Sequence, residues 1–339
     1  MKKLELQVSF TTPAFLGNAQ QQGQWRTPPF KALLRQWWRV AAAEDCGYDV
    51  NKLREREAGL FGSASENECT GQSKVRLRLG QWRNGNGSFS LQDSKVKYPE
   101  VKFSVGSSLY LGYGPVGFKK GQGTVVNMPN AIAPGDISQL RIAFPDETYC
   151  QATIQLVAWF GTLGSRSRNG WGSLLMQGDG IDGTGALLGG KTPALRDISR
   201  TLEECMQLDW PHALGRDDKG LLIWSSKPFN DWQQAMKHLA EVKIAFRTAL
   251  PVNGGFQDRH LLAYPVTNHT VKSWGNQARL ANQLRFKVVK NDGKHYALVF
   301  HLPCALPEEL AKKLGNSTPS RQRQFKVWDQ VHRVLDNQM

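Results

Sequence analysis

Polar and apolar residues alternate through Leu4–Phe10, the two-residue period of a strand with one face turned to a core. Thr27-Pro28-Pro29 then has the form of a helix start, with proline where a missing N–H costs nothing, and the pattern beyond predicts a helix over Phe30–Ala43. On a helical wheel Leu33, Leu34, Trp37, Val40 and Ala41 make its buried side. Lys31, Arg35 and Arg39 follow at i, i+4 and i+8 as a separate basic stripe, and Trp38 stands on the border. Alternation resumes over Lys74–Trp82, where Val75, Leu77 and Leu79 oppose Lys74, Arg76 and Arg78. With turn chemistry at Asn84-Gly85, this predicts a hairpin arm with one basic face. Strands near Lys102–Val105 and Leu140–Phe144 precede a predicted helix from about Asp146 to Phe160.

The glycine-rich stretch 177–191 marks a boundary, giving domains over 1–185 and 186–339. The second half offers a strand at Leu221–Trp224, a helix over Asp231–Arg247, a hairpin over Leu284–Leu302 turning at Asp292-Gly293, and a last helix over Arg321–Leu335. Both halves mix strands and helices in the proportion of a β-α-β unit. The expected class is α+β, with two tandem ferredoxin-like (RRM-like) domains.

Charge changes the picture. Across 339 residues, 43 Lys and Arg stand against 29 Asp and Glu, a net +14, which favours a polyanionic partner, nucleic acid first. The five cysteines are scattered without a C-x-x-C pair, so they form neither a disulfide framework nor a zinc site. The N-terminus lacks the apolar segment of a signal peptide, and no stretch approaches the roughly 20 apolar residues of a membrane span. The expectation is a cytoplasmic protein with no membrane contact.

The candidate chemistry concentrates in two places. Gly161–Gly172 interleaves glycines with Arg166 and Arg168. If the segment is extended, both arginines point to one side, where Gly164, Ser165, Ser167 and Asn169 would add amides and hydroxyls for a phosphate backbone. The alternative is a flexible surface loop with solvated arginines. The stripe Lys31, Arg35, Arg39 has no glutamate at i+4 to neutralise it, and Trp25 and Arg26 immediately precede it, so Trp25 or Trp38 could stack bases beside it. Arg321, Arg323 and Lys326 at the start of the last helix suggest a second RNA or subunit contact.

Other matches carry less. Gly185–Thr192 fits the Walker A letters but lacks the preceding strand and following helix, and Gly112–Gly117 reads as a turn. All seven histidines lie beyond residue 211, with no metal-ligand spacing, and Asp209, Asp217 and Asp218 near His212 do not separate from solvated charge. No catalytic residue, metal or cofactor is assigned.

Several blocks together resemble a known family. They are Thr12-Pro13-Ala14-Phe15-Leu16-Gly17, the run from Arg26 to Arg39, Glu55–Ser63, Gln72–Arg76 and the glycine-rich segment, with a weaker match around Arg279-Leu280-Ala281. The chain is similar to RAMP-superfamily proteins of the type III-B CRISPR (Cmr) effector complex, specifically the Cmr one subunit family. The resemblance implies tandem ferredoxin-like RAMP domains and a non-enzymatic role. The subunit would hold the 3′ region of a CRISPR RNA and help capture complementary target RNA, beside other RAMP subunits. It points to Lys31, Arg35, Arg39 and Gly164–Asn169 as RNA contacts. The competing reading is a RAMP endoribonuclease that processes precursor CRISPR RNA.

Overall fold

The computed structural model describes residues 1–63, 71–145, 148–188, 193–252 and 254–339. In chain order the elements that position the site are β1 (Lys2–Phe10), α1 (Thr27–Ala42), α2 (Val50–Phe61), β2 (Arg76–Leu79), α3 (Ser107–Gly112), β3 (Ser138–Phe144), α4 (Thr148–Phe160) and β4 (Leu174–Gln177). The second half adds β5 (Ile223–Ser225), α5 (Trp232–Thr248), β6 (Leu284–Asn291), β7 (Lys294–His301) and α6 (Arg321–Gln338). The result is a mixed α/β structure with several small sheets.

The first half is organised on a four-stranded antiparallel sheet in the order β4–β1–β3–β2. Along the chain its strands and the two helices packed together run β1, α1, β2, β3, α4, β4, with α2 inserted before β2 and α3 between β2 and β3. Alternation in β1 buries Leu6, Val8 and Phe10, and α1 and α4 pack against each other. The wheel reading of α1 holds, since Leu33, Leu34, Trp37, Val40 and Ala41 are all buried.

In the second half β5–β7–β6 form an antiparallel sheet. The hairpin turns where expected, with Asp292 and Gly293 both at positive φ, the geometry a two-residue loop needs to follow the strand twist. Leu284, Phe286 and Val288 face a cluster shared with Leu239, Phe246 and Trp328 of α5 and α6. Arg285, Lys287 and Val289 turn to the opposite face. There Val289, Leu298 and Phe300 join the first-half core beside Trp37 and Phe160, and Lys287 Nζ donates to the Ala158 carbonyl at 2.8 Å, satisfying an end carbonyl of α4.

Three local expectations give way. β2 pairs with β3 rather than with a nearby strand, because Leu77 and Leu79 find Ile142 and Leu140 opposite them, and Arg83–Asn84 pairs instead with Gln24–Trp25. No basic hairpin arm forms there. Leu221–Trp224 is split between two sheets, Gly220–Leu221 joining Leu214–Asp217 while Ile223–Ser225 joins β7. Of Lys102–Val105 only Val105 enters a strand, Val105–Gly106, which pairs with Lys95–Val96. The expected helix start at Asp146, part of the Walker-like match (189–192) and Cys69 lie outside the described residues. Among the described residues no helix is long and apolar enough to cross a membrane.

Candidate nucleic-acid interface

Trp25 and Trp38 cannot stack bases, because both are fully buried. Trp25 sits between Phe10 and Phe30, and its Nε1 donates to Asp136 at 3.1 Å. Trp38 meets Phe61 edge-on at 6.1 Å. Both rings are large apolar bodies at the junction of helix and sheet, and the core claims them.

The basic stripe of α1 is compensated from another helix. Glu57 of α2, 3% exposed, accepts from Arg35 Nε at 2.6 Å and from Arg39 Nη2 at 2.8 Å. Burial pushes the Glu57 carboxyl up, but the hydrogen bonds from Arg39 and Arg35 outweigh it and hold it below its ordinary value. Neutralisation thus comes from a residue far along the chain, which i+4 spacing does not reveal. Lys31 and Arg26 have no ion-pair partner among the described residues. Loss of water and the neighbouring Arg35 lower the Lys31 pKa, and the buried Arg26 Nε has no hydrogen-bond partner.

The glycine-rich segment is a fixed series of turns, not a flexible or extended one. Gly164 has φ +95°, and a Cβ there would stand 2.6 Å from the Phe15 carbonyl, which accepts from Ser165 N. The Ser167 amide bonds back to Gly164 O at 3.3 Å. Thr12 Oγ1 and Ser173 Oγ both donate to the Gly170 carbonyl. Because Arg166 has φ +58°, the chain reverses within the segment and the two arginines do not share a side by strand alternation.

Arg166 Nε donates to the Tyr113 carbonyl at 2.6 Å, beyond the end of α3. Asn169 Nδ2 donates to Leu111 O, and its Oδ1 accepts from Lys243 Nζ of α5 at 2.9 Å. Burial, then the charges of Arg247 and Arg166, push Lys243 down to about 7. Arg247, one turn on, donates to Tyr110 Oη at 3.4 Å. Toward β6, Phe286 N donates to the Arg168 carbonyl at 3.1 Å, and Asn169 and Phe286 form a parallel bridge. The segment therefore lies between α3, α5 and the edge of β6, with Leu33 of α1 against Gly161. None of Arg166, Arg168, Lys243 and Arg285 has a carboxylate partner among the described residues.

The sequence reading missed Lys243, Arg247 and Arg285. The signal for the last was present, since Arg285 and Lys287 interrupt one face of an otherwise apolar strand. Of the histidines, His212, His260, His301 and His332 are buried. Arg323 at the start of α6 pairs with Asp258 at 2.6 Å.

No protein-family profile matches the sequence, and no curated protein matches it. Solved structures similar to this chain are of Cmr proteins. The apo crystal structure of Cmr1 from Pyrococcus furiosus is 17% identical over 91% of this chain and 90% of that one, with a TM-score of 0.48. A chain of the type III-B Cmr-beta cryo-EM structure with cognate target RNA and AMPPnP, state 2, in the presence of ssDNA, is 12% identical over 99% and 98%, with a TM-score of 0.47. A chain of Cmr-beta bound to cognate target RNA is 10% identical over 98% and 100%, with a TM-score of 0.47.

Proposed function

We propose that this chain is an RNA-binding subunit of a type III-B CRISPR ribonucleoprotein, not itself an enzyme. It would hold the 3′ region of the guide RNA and help capture complementary target RNA, in contact with other RAMP subunits. One observation carries the reading: Arg166, Arg168, Lys243 and Arg285 converge on one turn with no carboxylate among the described residues to balance them. Crowding like charges in partly dry protein is unfavourable unless an anion is brought to them. Guanidinium and ammonium groups around an exposed backbone turn suit a phosphate chain, contacted without regard to base sequence. The resemblance of Arg26–Arg39 and Gly161–Gly172 to the RAMP family supplies the biological setting. The tandem ferredoxin-like reading is supported in the first half by the β4–β1–β3–β2 order, while the second half repeats strand, helix, strand, strand, helix.

Affinity for single-stranded RNA should fall steeply as salt rises. Replacing Arg166 and Arg168 together with Ala should weaken binding by tenfold or more, about 1.4 kcal/mol or above, with little change in melting temperature. Unchanged affinity in that double variant removes the turn from the site. Specific cleavage of labelled repeat RNA in EDTA would replace the proposal with a processing nuclease.

A further inference from the structure

The parallel bridge between Asn169 and Phe286 sets the preceding residues, Arg168 and Arg285, side by side in register, one from each half of the chain. Arg285 is 9% exposed, and its buried Nε has no hydrogen-bond partner among the described residues. Arg168, by contrast, is exposed. Partial burial lowers the Arg168 pKa, and burial followed by the nearby Arg168 charge pushes Arg285 down to about 9. The other group acting on Arg285 is the Cys304 thiol, itself raised to about 12 by burial and so uncharged. Like charges directly opposite each other across a pairing are destabilising, and a buried guanidinium donor without an acceptor adds to that penalty. Arg259, 1% exposed, differs in being held by the Leu250 carbonyl and Glu100.

We propose that Arg168 and Arg285 form a binding site for a single phosphate group in the seam between the two halves, so that an RNA backbone phosphate seated there fastens the glycine-rich turn to β6. This rests on the RNA-binding reading for its physiological occupant, but the site itself is defined by phosphate chemistry. Two guanidinium groups, one from the turn and one from β6, can together present several N–H donors to a tetrahedral oxyanion. The bridge that holds them is one of the places where the turn joins the second sheet, together with the Val288 N–H donating to Ser173 Oγ at 2.8 Å, so occupancy adds to what holds the turn there.

The test is thermal melting of the full chain in chloride buffer, in inorganic phosphate at matched ionic strength, and with a short oligoribonucleotide. At ten times its Kd, phosphate should raise the melting temperature of the unaltered protein by about 3 °C relative to chloride. Arg285→Met should abolish the shift while melting no lower than the parent in chloride, because one of two crowded cations has gone. Arg285→Lys, which keeps charge but loses the fork, should retain only a fraction of it. Identical melting of the unaltered protein in phosphate and chloride overturns the site without recourse to any variant. So does an Arg285→Met protein that melts several degrees lower in chloride yet keeps the phosphate shift, the behaviour of a merely structural arginine. Oligoribonucleotide binding without a phosphate shift refutes this site and leaves the RNA reading standing. A phosphate shift without oligoribonucleotide binding keeps the site and removes that reading.

Discussion

Replacing Glu57 with Gln separates the structural from the RNA-binding account of the α1 stripe. The carboxylate is 4% exposed on its side chain, whereas Arg35 and Arg39 retain 38% and 47% of theirs. Gln keeps the shape but turns an amide toward two guanidinium groups that now lack a counter-charge. Breaking a fully buried pair costs about 3–5 kcal/mol, but here the arginines can rehydrate, so the loss should be nearer 2 kcal/mol. That corresponds to a fall of about 5 °C in melting temperature. The difference should shrink in acid. The Glu57 pKa is held low in the fold, so its contribution is present above the ordinary carboxylate range and is lost as pH falls through the depressed value. Scanning calorimetry at neutral and acid pH measures both effects, and RNA titration at several salt concentrations gives the accompanying binding slope. With the phosphate chain seated on the glycine-rich turn, that slope should not change. An unaltered melting temperature would refute the pairing argument, and a slope steeper by about 1.4 would restore Arg35 and Arg39 to the interface, since each cation contributes roughly 0.7 on a single strand.

Two further outcomes follow from buried groups. His301 Nδ1 and His332 Nε2 lie 3.0 Å apart in the second-half core, and burial pushes His332 down from 6.5 to about 4. Because protonation favours the unfolded chain across that interval, stability should fall by up to about 3 kcal/mol as pH drops from 6.5 to 4. His332→Asn should reduce that dependence in urea titrations, with His301, also lowered by burial, supplying what remains, and an equally steep acid loss in the variant would exclude His332 as its source. Gly172→Ala places a methyl group against the Leu163 carbonyl at φ +60°. It should cost about 2–4 kcal/mol and weaken RNA binding with it, and a variant of parental stability would show that the turn relaxes freely.

Periodicity made the elements legible wherever one face meets a core. β1, α1, α5, the β6–β7 hairpin and α6 each announce themselves by spacing and end signals. Strand partners did not, because the choice of β3 for β2 depends on Leu140 and Ile142, some sixty residues away. The site was half visible for the same reason. Arg166 and Arg168 stand out in a glycine-rich run, and Arg285 is odd in an apolar strand, but Lys243 looks like an ordinary surface cation, and only the fold brings α5 and β6 to that run. Composition cannot distinguish a tryptophan that stacks on a base from one that fills a core, and at Trp25 and Trp38 neighbouring aromatic rings decided the matter.

The shared core at Trp37, Phe160 and Phe300 has a consequence for how a ligand is received. Three rings drawn from both halves interlock at centroid distances of 4.8 to 6.1 Å, so swinging one half away from the other would expose them together. Hinge closure is thereby disfavoured as a mode of capture. If the proposed seam site takes a strand, that strand would meet cations whose spacing was settled when the chain folded, and little of the interaction energy would be diverted into moving one half against the other.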